Sequence, residues 1–346
     1  MSPRPRVRIA VLAGFLAALA GSCAFLDIPA GQSGTARTAA PDAPRVLEIR
    51  DAWKRLQPRY AGNPYEAKPS WGFPYKAGSL HPGFIQDGTN MVNFARFLAG
   101  LPADVRSDEK LAVQAQHGAV LLMKHGSLDH KPPKPRGMPD AFYKLGLAST
   151  GSSNIHQSIG TISTLADAVF SFLDDSDPSN IDRLGHRRWV LNPHMGSTAF
   201  GHASDGRVAF VTMQAFDTSR KGGPDYDFMA WPAPGWFPSS FLAPAQAWSV
   251  SPNPARYDPA RSKPTVRLTR AGDGRTWTFG AGVKGAPGAY FNVDRMGFGI
   301  PFCVIFRPEG IPGYAPGSRY SVRVEGLADK AGKPAVIEFE VEFFRL

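Results

Sequence analysis

Cysteine is nearly absent from this sequence: its 346 residues include only Cys23 and Cys303. At most one disulfide can form, so a disulfide-stapled scaffold is excluded and the fold must rest on a packed core. Acidic residues are outnumbered, 29 against 39 Lys and Arg, which leaves a net charge of +10. Such a chain is drawn to anionic polymers and head groups. It has no Lys/Arg run with interleaved aromatics, so nucleic acid is not an expected partner. Long apolar runs are missing apart from residues 9–20, IAVLAGFLAALA, which are too few to span a bilayer as a helix. There is no Gly-x-Ser-x-Gly elbow, no phosphate loop and no His-Glu-x-x-His, so three common local signatures of catalysis are absent. Asp174, Asp175, Asp177 and Asp182 lack the fixed glycine and terminal glutamate of a calcium loop and read as a solvated acidic loop.

Glycine (36) and proline (32) are abundant, which favours turns and β structure. The length suits two domains. Arg4, Arg6 and Arg8 precede the apolar run at 9–20, and small residues follow it. This order reads as an export signal over 1–23. LAGSC, residues 19–23, is similar to a bacterial lipoprotein processing site, with Ala20 where a larger aliphatic residue is usual. Lipidation at Cys23 and simple cleavage nearby both remain open. The expected location is therefore extracytoplasmic: periplasmic, membrane-anchored through a lipid at Cys23, or secreted. Cys303, inside PFCVIF, reads as a small buried hydrophobe.

Residues 24–45 are rich in Ala, Gly, Pro, Ser and Thr and read as a flexible linker. A first domain is expected over 46–217. In it, Met91, Phe94, Ala95 and Leu98 share one helical face, and a second helix starts with Ser107 as N-cap and buries Leu111, Ala115, Gly118 and Leu122 before Gly126. A third helix turns Leu165, Val169, Phe172 and Leu173 inward. STAFGHAS and RVAFVTMQAF, joined by SDGR, predict a hairpin. Residues 218–262, rich in Pro and Trp, read as an ordered linker packing onto both neighbours. Over 263–346 the period becomes two: Ile337, Phe339, Val341 and Phe343 alternate with Glu338, Glu340 and Glu342. That pattern predicts a small all-β domain, an immunoglobulin-like sandwich. The expected fold class is α+β.

Three histidines sit where loops meet helices: His130, His156 and His186. Neutral imidazole suits zinc, and a catalytic zinc takes about three protein ligands. The alternative is that each ring fixes a loop by hydrogen bonds. Arg187 and Arg188, next to His186, are expected to serve the architecture, one bonding a helix C-terminus or an aspartate such as Asp174, Asp175 or Asp182.

Five pieces in order resemble the CAP superfamily, or SCP-like domains, in its bacterial form. They are TNMVNFARFLAGLP, SDEKLAVQAQHGAVLLMKHGSLDH, SSNIHQS, GHRRWVLNPHMGSTAFG and AFVTMQAF. The resemblance covers somewhat over a third of the chain. It implies an α-β-α sandwich over the first domain with a cleft formed by His130, Ser153, Asn154, His186 and Gln214. Ser153 stands where the family's Gly-Glu-Asn-Ile has its glutamate. A hydroxyl cannot hold the charge that orients an imidazole or acts as base, so an acid–base mechanism is put in doubt.

The favoured expectation is a non-catalytic binding protein of the cell envelope or extracellular space, with a glycan or lipid ligand and no required cofactor. A hydrolase using His130 and His186, metal-assisted if zinc binds there with His156 as a third ligand, is the alternative. A structural or interaction protein with a vestigial cleft is another.

Overall fold

The computed structural model describes residues 43–283 and 289–346. The export signal expected over 1–23, with Cys23, and all but the end of the linker expected over 24–45 lie outside the described residues. Among those described are six α-helices and sixteen strands, with no α-helix after α6, so the chain is α+β.

The first elements are α1 (Pro44–Leu56), the small pair β1 (Tyr65–Ala67) and β2 (Ser79–Leu80), and α2 (Pro82–Leu98). Next come β3 (Arg106–Ser107), α3 (Glu109–His125), α4 (Asp140–Ser152), β4 (Ser153–Ile159), α5 (Leu165–Asp174) and α6 (Gly185–Val190). The strands β5 (Ser197–Thr198), β6 (Phe200–Ser204) and β7 (Val208–Gln214) follow. The four α2 residues expected on one face are all buried. The helix nonetheless starts earlier than its apolar period shows, because the His81 imidazole caps it by accepting from the Gly83 N–H at 3.1 Å. The cap of α3 is Asp108 rather than Ser107: its carboxylate accepts from the Leu111 N–H at 2.9 Å. An ionised cap also favours the helix dipole more than a hydroxyl does. Gly126, at φ 86°, ends α3 as expected.

Strands β4, β7 and β6 form an antiparallel sheet in that order, and helices pack on both of its faces. Val211 and Met213 join the core under α2 and α5. Phe210 packs with Leu122 of α3 on the other side, and Thr212 Oγ1 donates to the Ala115 carbonyl of α3 at 2.8 Å. The close α3–α4 contact explains why α4 carries so little apolar signal. A side chain at Gly118 would stand 2.2 Å from Ser149 Oγ, and one at Gly146 3.0 Å from Leu121, so the crossing demands small residues that also blur the helical period.

The remaining strands are β8 (Phe228–Trp231), β9 (Gly235–Pro238), β10 (Trp248–Pro252), β11 (Thr265–Arg270), β12 (Thr276–Gly280), β13 (Tyr290–Phe298), β14 (Ile300–Arg307), β15 (Arg319–Ala328) and β16 (Pro334–Phe344). They form a four-stranded sheet, β13-β14-β10-β8, and a five-stranded one, β12-β11-β15-β16-β9. The stretch 218–262, expected to be a linker, thus supplies strands to both sheets. Its strands are only four or five residues long, and prolines between them hide their alternation. The inner faces of the two sheets meet through Trp248, which touches Tyr320 and Phe343 and donates its indole N–H to Tyr314 at 2.7 Å. Cys303 is fully buried. One apolar cluster runs from Val46 of α1 through Val169 and Met213 to Phe343 of β16, so the helical and β portions share a core. Among the described residues no helix is long and apolar enough to cross a membrane.

Candidate functional site

The site is assembled where α5 ends and α6 begins. Thr164 and Asp167 cap the start of α5 reciprocally, and Asp175 ends it in the left-handed region at φ 48°. An Asp tolerates that conformation better than most residues, and here it turns the carboxylate back across the loop. Asp175 Oδ2 accepts from the His186 N–H at 2.8 Å, and Oδ1 lies 2.7 Å from His186 Nδ1. One buried carboxylate therefore caps α6 and orients the imidazole of its second residue. Since the carboxylate accepts, Nδ1 is the donor of this pair, and in the neutral form of the ring the lone pair lies on Nε2.

His130 is prepared in the same way by a neutral group. Its Nδ1 lies 2.7 Å from the Thr150 carbonyl oxygen, and Thr150 Oγ1 donates back to the His130 carbonyl at 3.1 Å. A carbonyl can only accept, so this ring too is protonated on Nδ1. His130, His186, Ser153 and Asn154 line one cavity of about 340 Å³. Asn154 Nδ2 donates to the His186 carbonyl at 3.0 Å, which ties β4 to α6. Ser153 is buried, 3.4 Å from Ser149 Oγ. The position without the expected glutamate does not leave His186 without a carboxylate, because Asp175 holds it.

Gln214 and His156 do not line the cavity. Gln214 braces its back: Oε1 accepts from Ser152 Oγ at 2.9 Å and Nε2 donates to Ser149 Oγ at 3.2 Å. His156 Nε2 lies 3.1 Å from Ser163 Oγ, and its ring and that of His186 both contact Phe172. Burial lowers the His156 pKa, with Asp167 opposing and His186 adding to the effect. Among the described residues no three His, Cys, Asp or Glu side chains are grouped to hold a metal ion.

The arginines serve the architecture. Arg187, fully buried, donates to the Leu173 and Asp174 carbonyls at the end of α5 and to the Ala247 carbonyl. Burial pulls its pKa down to about 10, with Asp175 opposing. Arg188 donates to the Ile300 and Arg183 carbonyls and to Asp294. Arg96, also fully buried, laces α2 to the segment after α6 through the Asn192 carbonyl at 2.7 Å.

Three aromatic side chains, with Asn180, Arg183 and glycines, make up the rest of the cavity wall. Trp189 stacks on Phe216, ring centres 4.3 Å apart, and Phe298 lines it from the β13–β14 turn. Arg183 stands at the wall with its guanidinium held by Asp182 and Asn180. Asp175 and Phe298 were not legible as site residues, since each arrives through a turn or a distant strand; Trp189 and Phe216 lie inside the quoted pieces, but nothing in their spacing marked them as cavity wall. A wider depression of about 760 Å³ borders residues 281–283 and 289–293, and no histidine or carboxylate lines it among the described residues. No protein-family model matches this chain, and no curated protein matches it.

Proposed function

We propose that this chain is an exported CAP-type protein with an immunoglobulin-like C-terminal portion, and that its cleft binds an envelope glycan. The observation that carries the reading is the pairing of His130 and His186 in one cavity, each with Nδ1 tied back and Nε2 left for a ligand. Two lone pairs ask for hydroxyl or N–H donors, and aromatic faces ask for C–H surfaces. A sugar ring offers both. An acyl chain would offer the two imidazoles no hydrogen-bond donor. A volume of about 340 Å³ is at the small end for ligand sites and suits one or two rings. The net charge of +10 favours an anionic polymer. The order of the five sequence pieces, the helices on both faces of the β4-β7-β6 sheet, and the two facing sheets after it support the family reading.

The test is titration calorimetry of the full-length chain with two probes, a β-1,4-linked N-acetylglucosamine tetramer and a disaccharide muropeptide. Binding that His130→Ala/His186→Ala abolishes, with the variant folded, is expected. Silence from both probes removes the glycan reading.

A second reading rests on the Asp175–His186 pair. A histidine so held can act as general base on a water, and the chain would then be a hydrolase. Zinc is less well served: His130 and His186 supply two ligands, and a catalytic zinc takes three from the protein. Release of reducing ends from peptidoglycan, lost in His186→Ala, would favour this reading over pure binding.

A further inference from the structure

The β13–β14 hairpin packs against the helical portion, and its tip borders the imidazole cavity. Gly297 and Phe298 line the cavity with His130 and His186. Three contacts hold the tip there. Gly299 turns it at φ 77°, where a side chain would stand 2.8 Å from Trp189 and 3.0 Å from Asn192. The backbone is seated directly on α6. Phe298 lies over Gly185, where an added Cβ would meet its ring at 3.0 Å. The buried Arg188 then crosses between the portions. It donates to the Ile300 and Met296 carbonyls and to Asp294, and its guanidinium lies 5.1 Å from the centre of the Phe298 ring. Asn292 adds a bond to the Asp182 carbonyl.

The Arg188 bonds tie β13 and β14 to the same six-residue helix that carries His186. The hairpin therefore does more than brace the helical portion. We propose that the β portion completes the glycan site: Phe298 is a specificity-determining platform on which a sugar ring stacks while its hydroxyls donate to His130 and His186 Nε2, and Arg188 is the positioning residue that fixes that platform. The proposal rests on the glycan reading above. Its chemistry follows from what the wall presents. Phe298 is only partly buried and Met296 beside it is 66 % exposed, so the tip keeps apolar surface that the protein's own packing does not use. A flat apolar wall near hydrogen-bond acceptors distinguishes a pyranose, with one C–H face and an equatorial belt of hydroxyls, from a free anion or an extended acyl chain.

The experiment is calorimetry of the full-length chain with the N-acetylglucosamine tetramer and the disaccharide muropeptide, comparing wild type with Phe298→Tyr, Phe298→Leu and Arg188→Lys. Melting curves accompany each titration to show that the variant is folded. Phe298→Tyr keeps the ring and is expected to bind within about twofold of wild type. Phe298→Leu keeps apolar bulk but loses the flat face, and is expected to weaken binding by about fivefold or more. Arg188→Lys keeps the charge but not the fork of donors, and is expected to weaken binding with Phe298 still present. If the wild type binds, His130→Ala/His186→Ala does not, and Phe298→Leu binds as well as wild type, the platform is refuted while the glycan site stands. If wild type binds neither probe, the glycan reading falls and this proposal falls with it.

Discussion

His202 makes stability fall in mild acid, by an amount the structure sets. It lies in β6 and is 1 % exposed. Its Nδ1 is 2.7 Å from the Tyr65 hydroxyl, and its Nε2 has no hydrogen-bond partner. Phe84 of α2 meets its ring edge-on, and Gln116 of α3 holds its backbone from both sides. No carboxylate is bonded to the ring, so protonation would place a bare charge in an apolar layer. Burial accordingly pushes the imidazole from 6.5 down to about 4, with only the Ser163 backbone opposing. The unfolded chain takes up this proton near pH 6.5 and the folded chain only near 4. Between those values the unfolded state binds more protons, so stability rises with pH there and is lost on acidification. The slope is about 1.4 kcal/mol for each pH unit and the full loss about 3 kcal/mol. Urea unfolding at pH 7.5, 6.5, 5.5 and 4.5 reads it directly, with His202→Phe as the comparison. Removing the titrating group should flatten the curve of the variant relative to wild type over this window. His156 acts with the same sign in both proteins and cancels. If the two curves stay parallel from pH 7.5 to 4.5, burial of His202 is not what sets the acid limit.

Other outcomes follow from single contacts. Asp175→Asn keeps the shape but replaces an acceptor-only group at two donors. It is expected to lower stability by about 1–3 kcal/mol and, by releasing the His186 ring, to weaken any cleft ligand in the same calorimetric titration. Arg187→Ala leaves the Leu173, Asp174 and Ala247 carbonyls without their donor and opens a buried void. A loss of about 3–5 kcal/mol in chemical denaturation is expected. Cys303 is fully enclosed, and burial raises its thiol pKa. A disulfide reagent should label it in urea and leave it untouched in the native protein at the same pH.

The elements legible in the sequence are those whose local pattern agrees with their surroundings. The buried stripes of α2, α3 and α5 carry a clean helical period, and β15 and β16 alternate because only one face of their sheet is covered. The α4 helix was not legible, since Gly146 and Ser149 answer to α3 rather than to helix propensity. Nor were β8, β9 and β10, where Trp231, Phe237 and Trp248 are buried but prolines cut the segments short. The same division holds at the site. His130 and His186 sit in recognisable stretches. Asp175 reaches His186 only because the chain turns left-handed at the end of α5, and Phe298 reaches it only through a hairpin far along the chain. Tertiary contacts of this kind leave no mark in spacing.

The parallel pairing of β9 with β16, Gly235 against Val341 through Pro238 against Phe344, also dictates an order of events. A ribosome delivers β9 long before its partner exists; β8 and β10 pair with each other, but the other edge of β10 waits for β14. Until those later strands have been synthesised, Phe237 lacks Phe343, and Trp248 lacks Phe306, Tyr320 and Phe343, as packing partners. Closing so long a loop is entropically slow. The first strands of the β portion therefore stay partly unpaired while about the last third of the chain is made. A chain that must be threaded through a translocation pore gains from that delay, and one expressed at high level in a single compartment is burdened by it.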